Sequence, residues 1–222
     1  MRPLRLRREQ TCQGPLVLID RAHPLQEGAP PELVPVDRLH PQVLLERRAA
    51  RLLAACIRSV GGGRTIVPVS GWRSRAEQQA IWEDALAEHG KAFTETYVAR
   101  PGCSEHQTGL ALDIVAAGYQ ILDEEQEDTA EQKWLMENSW KYGFILRYPS
   151  EKSDITGIGY EPWHYRYVGK AAAADIYRTG VCLEEYLSQE GPEAELAPAQ
   201  TIRQAAPASG SMETAPQGAA AI

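Results

Sequence analysis

Two short segments concentrate side chains able to bind a cation and move a proton. The first is Ser104-Glu105-His106-Gln107-Thr108-Gly109-Leu110-Ala111-Leu112-Asp113, and the second is Glu161-Pro162-Trp163-His164. A catalytic zinc takes three protein ligands from His, Asp or Glu and keeps a fourth position for water. His106, Asp113 and His164 can supply those three, and two histidines with one aspartate suit zinc well. Glu161 is then left over, three residues before a ligand, where a carboxylate can act as base toward water on the metal. Spacing alone leaves a second reading open: two buried, hydrogen-bonded histidines and an aspartate that caps a turn. His106 and Asp113, seven apart, fall on opposite faces of an ideal strand, so Gly109 or a bulge must re-aim one of them. Glu161 and His164, three apart, need a similar irregularity, which Pro162 can cause.

The elements that must position these residues follow from periodicity and punctuation. Val17–Ile19 reads as a first short strand, and the proline-bearing stretch 23–42 as surface loop. From Val43 to Val60, Leu45, Ala49, Leu52, Leu53, Cys56 and Val60 recur at helical spacing, and Gly61 to Gly63 end the helix. Thr65–Ser70 reads as a strand whose Pro68 implies an edge or an irregularity. Ser74 and Glu77 form a capping-box pair that opens a helix to about His89, with Gly90 after it. Leu110–Val115 is a strand. A helix follows at 129–142, strands at Phe144–Leu146 and Tyr165–Val168, and short helices at 171–178 and 183–189. Trp134 and Trp140 fall on a helix face and read as core. The sequence predicts one mixed helix-and-strand domain over 14–189, preceded by a flexible arm over 1–13 and followed by a disordered tail over 190–222, poor in large apolar side chains.

Composition narrows the function classes. Twenty-three Lys and Arg against thirty Asp and Glu give a net charge of −7, a poor basis for nucleic-acid binding. No stretch approaches the roughly 18 apolar residues of a membrane span. The arginines at 2, 5, 7 and 8 are followed by Glu9, Gln10, Thr11 and Cys12 rather than by an apolar run, so no signal peptide or anchor is recognised. The expectation is a cytoplasmic protein, or a cell-envelope one if a leader precedes it. The four cysteines form no CxxC unit and read as free thiols.

The two segments, SEHQTGLALD and EPWH, resemble the signature of the VanY-type D,D-carboxypeptidases and their relatives, the D-Ala-D-Ala dipeptidases and LdcB-type L,D-carboxypeptidases. Further segments of that family are resembled in the same order: Leu18-Ile19-Asp20-Arg21, Ser70-Gly71-Trp72-Arg73-Ser74 with Gln79, Arg100-Pro101-Gly102, Gly143-Phe144 through Arg147-Tyr148-Pro149, Lys152 with Thr156-Gly157, and Arg166-Tyr167-Val168-Gly169. The resemblance covers about 15–188. It implies an α+β fold of the Hedgehog and D,D-peptidase kind, a small antiparallel sheet carrying one zinc ion and flanked by helices. It implies His106, Asp113 and His164 as zinc ligands, Glu161 as catalytic base and Arg73 as the cation that stabilises the oxyanion. Ser104, Gln79, Arg147 and Trp163 are the positions it suggests near the substrate, with Trp163 packing beside the metal. The implied partner is a peptidoglycan stem peptide or muramyl-peptide precursor, and the implied reaction is removal of terminal D-alanine from the pentapeptide. A D-Ala-D-Ala dipeptidase or an L,D-carboxypeptidase on the same scaffold is the alternative. An inactive cell-wall-binding module is the alternative of another class, and a filled set of catalytic positions argues against it.

Overall fold

A computed structural model of the 222-residue chain describes residues 14–25, 31–60 and 64–188. The expected arm over 1–13, the glycine run at 61–63 and the expected tail over 190–222 lie outside the described residues. In chain order the elements are β1 (Leu33–Pro35), β2 (Leu44–Glu46), α1 (Arg47–Ser59), β3 (Ile66–Ser70), α2 (Arg75–Tyr97), β4 (Ala111–Ala116), α3 (Ala130–Asn138), β5 (Phe144–Leu146), α4 (Ser153–Thr156), β6 (His164–Tyr167), α5 (Lys170–Thr179) and α6 (Leu183–Leu187). Single 3-10 turns join several of them, including one at Glu105–Thr108. Among the described residues no helix is long and apolar enough to cross a membrane.

The main sheet has four antiparallel strands in the order β3-β4-β6-β5. All six residues of β4 are buried, because side chains alternate between two covered faces. Leu112 and Ile114 point into a core shared with Leu53 and Ile57 of α1, Leu135 of α3, Phe144 and Tyr165. Ala111, Asp113 and Val115 point the other way. The register places Asp113 opposite His164 on β6 and opposite Ser70 on β3. One transverse row of the sheet therefore carries Ser70, Asp113 and His164 side by side. Pro68 sits on the edge strand, where a missing N–H costs no ladder bond, and the register shifts between Pro68 and Ser70.

Most expected elements appear, with informative differences. Helix α1 begins at Arg47 rather than Val43, because Leu44–Glu46 pairs with Leu33–Pro35 inside the stretch read as loop. The Glu46 carboxylate then caps the helix by accepting from the Arg48 and Ala49 amides. The Ser74–Glu77 capping box is present. Gly90 does leave the helical region, at φ 78°, but the chain resumes helix at once and continues to Tyr97. The helix expected over 129–142 becomes α3 followed by a 3-10 turn at Ser139–Tyr142. Val17–Ile19 forms no strand. The Pro15 and Val17 carbonyls instead accept from the Arg166 guanidinium at 3.1 and 2.7 Å, so a side chain replaces the strand partner. The cysteines within the described residues, Cys56, Cys103 and Cys182, are free.

Gly71 shows how tightly the smaller sheet is pressed against the larger. A Cβ there would lie 2.4 Å from the Leu44 carbonyl oxygen of β2, and Trp72 N–H donates to that same oxygen at 2.6 Å. Gly71→Ala must push β2 and residues 71–72 apart, an overpacking cost of about 1–3 kcal/mol. The expected outcome is a melting temperature lowered by several degrees, read by thermal unfolding. An unchanged melting temperature would mean that the contact relaxes freely.

Candidate active site

The 3-10 turn Glu105–Thr108 ends in Gly109 at φ 70°, a left-handed conformation that glycine adopts without a Cβ penalty. That reversal takes His106 out of the strand and turns its ring over the face of β4 that carries Asp113. This resolves the seven-residue spacing. The second difficulty is resolved by a tight turn: His164 N–H donates to the Glu161 carbonyl at 3.1 Å, which folds Glu161 back beside the first residue of β6.

His106, Asp113 and His164 offer ligand atoms that all lie within 4.8 Å of one another, and all three residues are buried. Asp113 Oδ1 is 3.4 Å from His106 Nε2 and 3.3 Å from His164 Nδ1. Ligands held about 2.0–2.1 Å from a tetrahedral ion are themselves about 3.3–3.4 Å apart, so the two separations from Asp113 fit zinc. Asp113 Oδ1 is buried without a hydrogen-bond partner, a costly state for a carboxylate oxygen that a cation would relieve. His106 Nδ1 lies 2.6 Å from the Gly71 carbonyl. That contact assigns the ring proton to Nδ1 and leaves the Nε2 lone pair facing the cluster.

Arg73 grips the other side of Asp113. Its Nη2 donates to Asp113 Oδ2 at 2.7 Å and to Ser70 Oγ at 2.7 Å. Nε also reaches Ser70 Oγ, and Nη1 has only a long 3.5 Å contact with Gln78 Oε1. Glu161 Oε2 lies 3.4 Å from His164 Nδ1. The cluster's electrostatics follow from burial and partners. Burial pushes the Glu161 carboxyl up to about 8, against the pull of His164. Burial also raises Asp113, but the two histidines and Arg73 overcome it and hold Asp113 well below its ordinary value. For Glu105, burial is overcome by Arg147 and Arg166, and the carboxyl stays ionised far below the usual range.

The structure thus gathers His106, Asp113, His164, Glu161 and Arg73 at one point. The four residues suggested near a substrate fare differently. Ser104 is buried beside the 3-10 turn, and its hydroxyl makes no capping bond. Trp163 is half-buried, and its carbonyl accepts from Ile114 N–H at 2.9 Å. Arg147 does not reach the cleft. It is 1% exposed, with Nε on Glu105 and both terminal nitrogens on Glu184, so its charge is spent inside the protein. Gln79 points outward, its amide donating to Glu83 at 2.6 Å. It lines an open groove with Arg75, Trp82 and Arg100 that none of the cluster residues borders. Its neighbour Gln78 is the glutamine that faces the cluster, buried, bonded to the Ala99 carbonyl and adjacent to Arg73. One step along a helix turns a side chain by about 100°, and the spacing of the resembled segment, a glutamine separated from Ser74 by three residues, falls on Gln78 rather than Gln79. Glu105 and Tyr148 were also missed. The Tyr148 ring lies 4.8 Å from the His164 ring.

Comparison with known proteins gives the family of the chain. The profile of the VanY family, D-alanyl-D-alanine carboxypeptidase, matches residues 42–170. The chain is 41% identical over 175 residues to the bifunctional D-Ala-D-Ala dipeptidase and D-Ala-D-Ala carboxypeptidase VanXYC of Enterococcus gallinarum, covering 77% of this chain and 92% of that protein. Among solved structures, the vancomycin-resistance D,D-dipeptidase VanXYg in complex with a D-Ala-D-Ala phosphinate analogue superposes with a TM-score of 0.74. It is 38% identical, covering 82% of this chain and 73% of the other. A VanY D,D-pentapeptidase from a VanB-type resistance cassette, in complex with Zn(II), gives 0.68 at 39% identity over 78% and 98%. With the profile spanning more than half of its length, the chain belongs to the VanY D-alanyl-D-alanine carboxypeptidase family.

Proposed function

We propose that this protein is a zinc-dependent D,D-carboxypeptidase that hydrolyses the bond before a C-terminal D-alanine in peptidoglycan-type stem peptides. The observation that carries the reading is the buried His106–Asp113–His164 triad with the Glu161 carboxylate 3.4 Å from its His164 nitrogen. A zinc ion held by His106, Asp113 and His164 would supply a Lewis acid and bring the pKa of nearby water to about 7. Glu161 would act in its carboxylate form, which a cation in the triad would favour against the burial that raises it, accepting a proton from the attacking water and delivering it to the leaving D-alanine nitrogen. Arg73, whose Nη1 is the most weakly engaged of its nitrogens, faces the scissile carbonyl and holds the developing oxyanion. For Ser104 and Trp163 a substrate-side role is supported by the family likeness alone. A second activity on free D-Ala-D-Ala is favoured by the likeness to a bifunctional dipeptidase and carboxypeptidase, with which the chain shares nearly that protein's whole length.

The deciding experiment is D-alanine release by the zinc-loaded protein from a muramyl pentapeptide, with the tetrapeptide and free D-Ala-D-Ala alongside. Release from the pentapeptide is expected, and no release from any of the three would overturn the reading. Glu161→Ala is expected to lower kcat by about 100- to 10,000-fold with the fold retained. Full activity in that variant would remove Glu161 from the chemistry. For Arg73→Ala, the expected loss is about 100- to 1,000-fold, falling on kcat more than on KM; a change confined to KM would reassign Arg73 to substrate binding. Zinc at about 100 times its dissociation constant stabilises the folded state by about 2.7 kcal/mol. Adding zinc to chelator-treated protein should therefore raise the melting temperature by several degrees, and Asp113→Ala should abolish that rise.

A further inference from the structure

Glu105 is a fully buried carboxylate with no part in the ligand triad, and its two oxygens are treated differently. Oε1 accepts from Arg147 Nε at 2.7 Å and from Arg166 Nη1 at 2.6 Å. Oε2 is buried with no hydrogen-bond partner, and so is His164 Nε2. These two unpartnered atoms face each other at 3.6 Å. A neutral imidazole carries its proton on one nitrogen only. With His164 Nδ1 turned toward Asp113 Oδ1 and Glu161, Nδ1 is the nitrogen that would face a cation held by the triad, and the ring proton would then sit on Nε2. The separation exceeds a hydrogen bond by roughly 0.7 Å, which side-chain adjustment would have to close.

We propose that Glu105 is a positioning residue that accepts the Nε2 proton of His164 and fixes the tautomer and aim of that ligand, and that Glu184 of α6 holds Glu105 in place through Arg147. The inference rests on the metal reading given above. Its second half rests on the fork at Arg147, whose Nη1 and Nη2 donate to the two oxygens of Glu184 at 2.9 and 2.6 Å. Arg166 is fixed as firmly, with Nε on the Tyr167 carbonyl and Nη2 on the Pro15 and Val17 carbonyls. Two guanidinium groups locked from outside occupy Oε1, and Oε2, without a hydrogen-bond partner, is left facing His164. The two ligand histidines are thereby backed unequally. His106 leans on a neutral carbonyl at Gly71, whereas His164 leans on a carboxylate, which raises the ligand's basicity. A chain of contacts then runs from α6 near the surface, through Arg147 and Glu105, to a metal ligand.

The test uses the full chain, stripped of metal and titrated with zinc against a chromogenic chelator, with the visible spectrum of the cobalt(II)-substituted protein as a second readout. The variants are Glu105→Gln, Glu184→Gln and, as a stability control, Ile57→Ala on the opposite side of the sheet. Glu105→Gln is expected to weaken zinc binding by about 10- to 100-fold and to alter the cobalt bands. Glu184→Gln is expected to act in the same direction but less strongly. Ile57→Ala should lower the melting temperature and leave affinity and spectrum unchanged. Wild-type affinity and spectrum in both folded glutamine variants would overturn the proposal, as would an equal loss in Ile57→Ala. Should Glu105→Gln fail to fold, Glu184→Gln decides alone, because Glu184 lies at the edge of the cluster. A wild-type chain that takes up no zinc would overturn the metal reading itself, and is told apart from the other outcomes by that fact.

Discussion

The pairing of β4 with β6 is the constraint on which the rest of the site depends. It sets Asp113 directly opposite His164 and continues the row to Ser70 on β3. Because side chains alternate, a slip of one residue would turn Asp113 into the core and bring an apolar neighbour to the metal side. What prevents the slip is the other face. Leu112 opposes Tyr165, and both belong to the core formed with α1, α3 and Phe144. Burial of apolar side chains on one side of the sheet thus sets the geometry of polar ones on the other.

A second pattern recurs in the electrostatics. Two buried carboxylates each divide their oxygens, one given to guanidinium and one kept open. Asp113 gives Oδ2 to Arg73 and keeps Oδ1, and Glu105 gives Oε1 to Arg147 and Arg166 and keeps Oε2. An unpaired buried charge is costly, and a fully paired one has no capacity left for a ligand. Half-pairing keeps the carboxylate ionised while leaving an oxygen available. The guanidinium groups are thereby structural and functional at once, and Arg147 and Arg166 are counted among the largest fully buried side chains of the protein.

Much of this was legible in the sequence, for reasons that differ by residue. The capping box at Ser74, the edge character of Pro68 and the strand read at Leu110–Val115, observed at Ala111–Ala116, follow from local chemistry, which the sequence states directly. The gathering of His106, Asp113, His164 and Glu161 followed from motif resemblance, since spacing alone put the first two on opposite faces until Gly109 reversed the chain. Arg147 and Glu105 were misjudged or missed because their partners are distant: Glu105 meets Arg166 at 61 residues' separation and Arg147 at 42. A buried ion pair of that kind leaves no periodic trace. The pairing of Leu33–Pro35 with Leu44–Glu46 was hidden by prolines, which read as loop although an edge strand tolerates them.

The contact of Arg166 with Val17 has a consequence for how the molecule comes into being. The two residues are 149 positions apart, and Arg147 must wait for Glu184 near the end of the described chain. Closing so wide a loop carries an entropic cost that is repaid only after both ends exist. During synthesis from the N-terminus, residues 14–17 emerge early but can dock only once β6 has been made. The triad's supporting shell is therefore among the last parts to assemble, so a nascent or truncated chain carries His106 and Asp113 long before it can present them as a finished metal pocket.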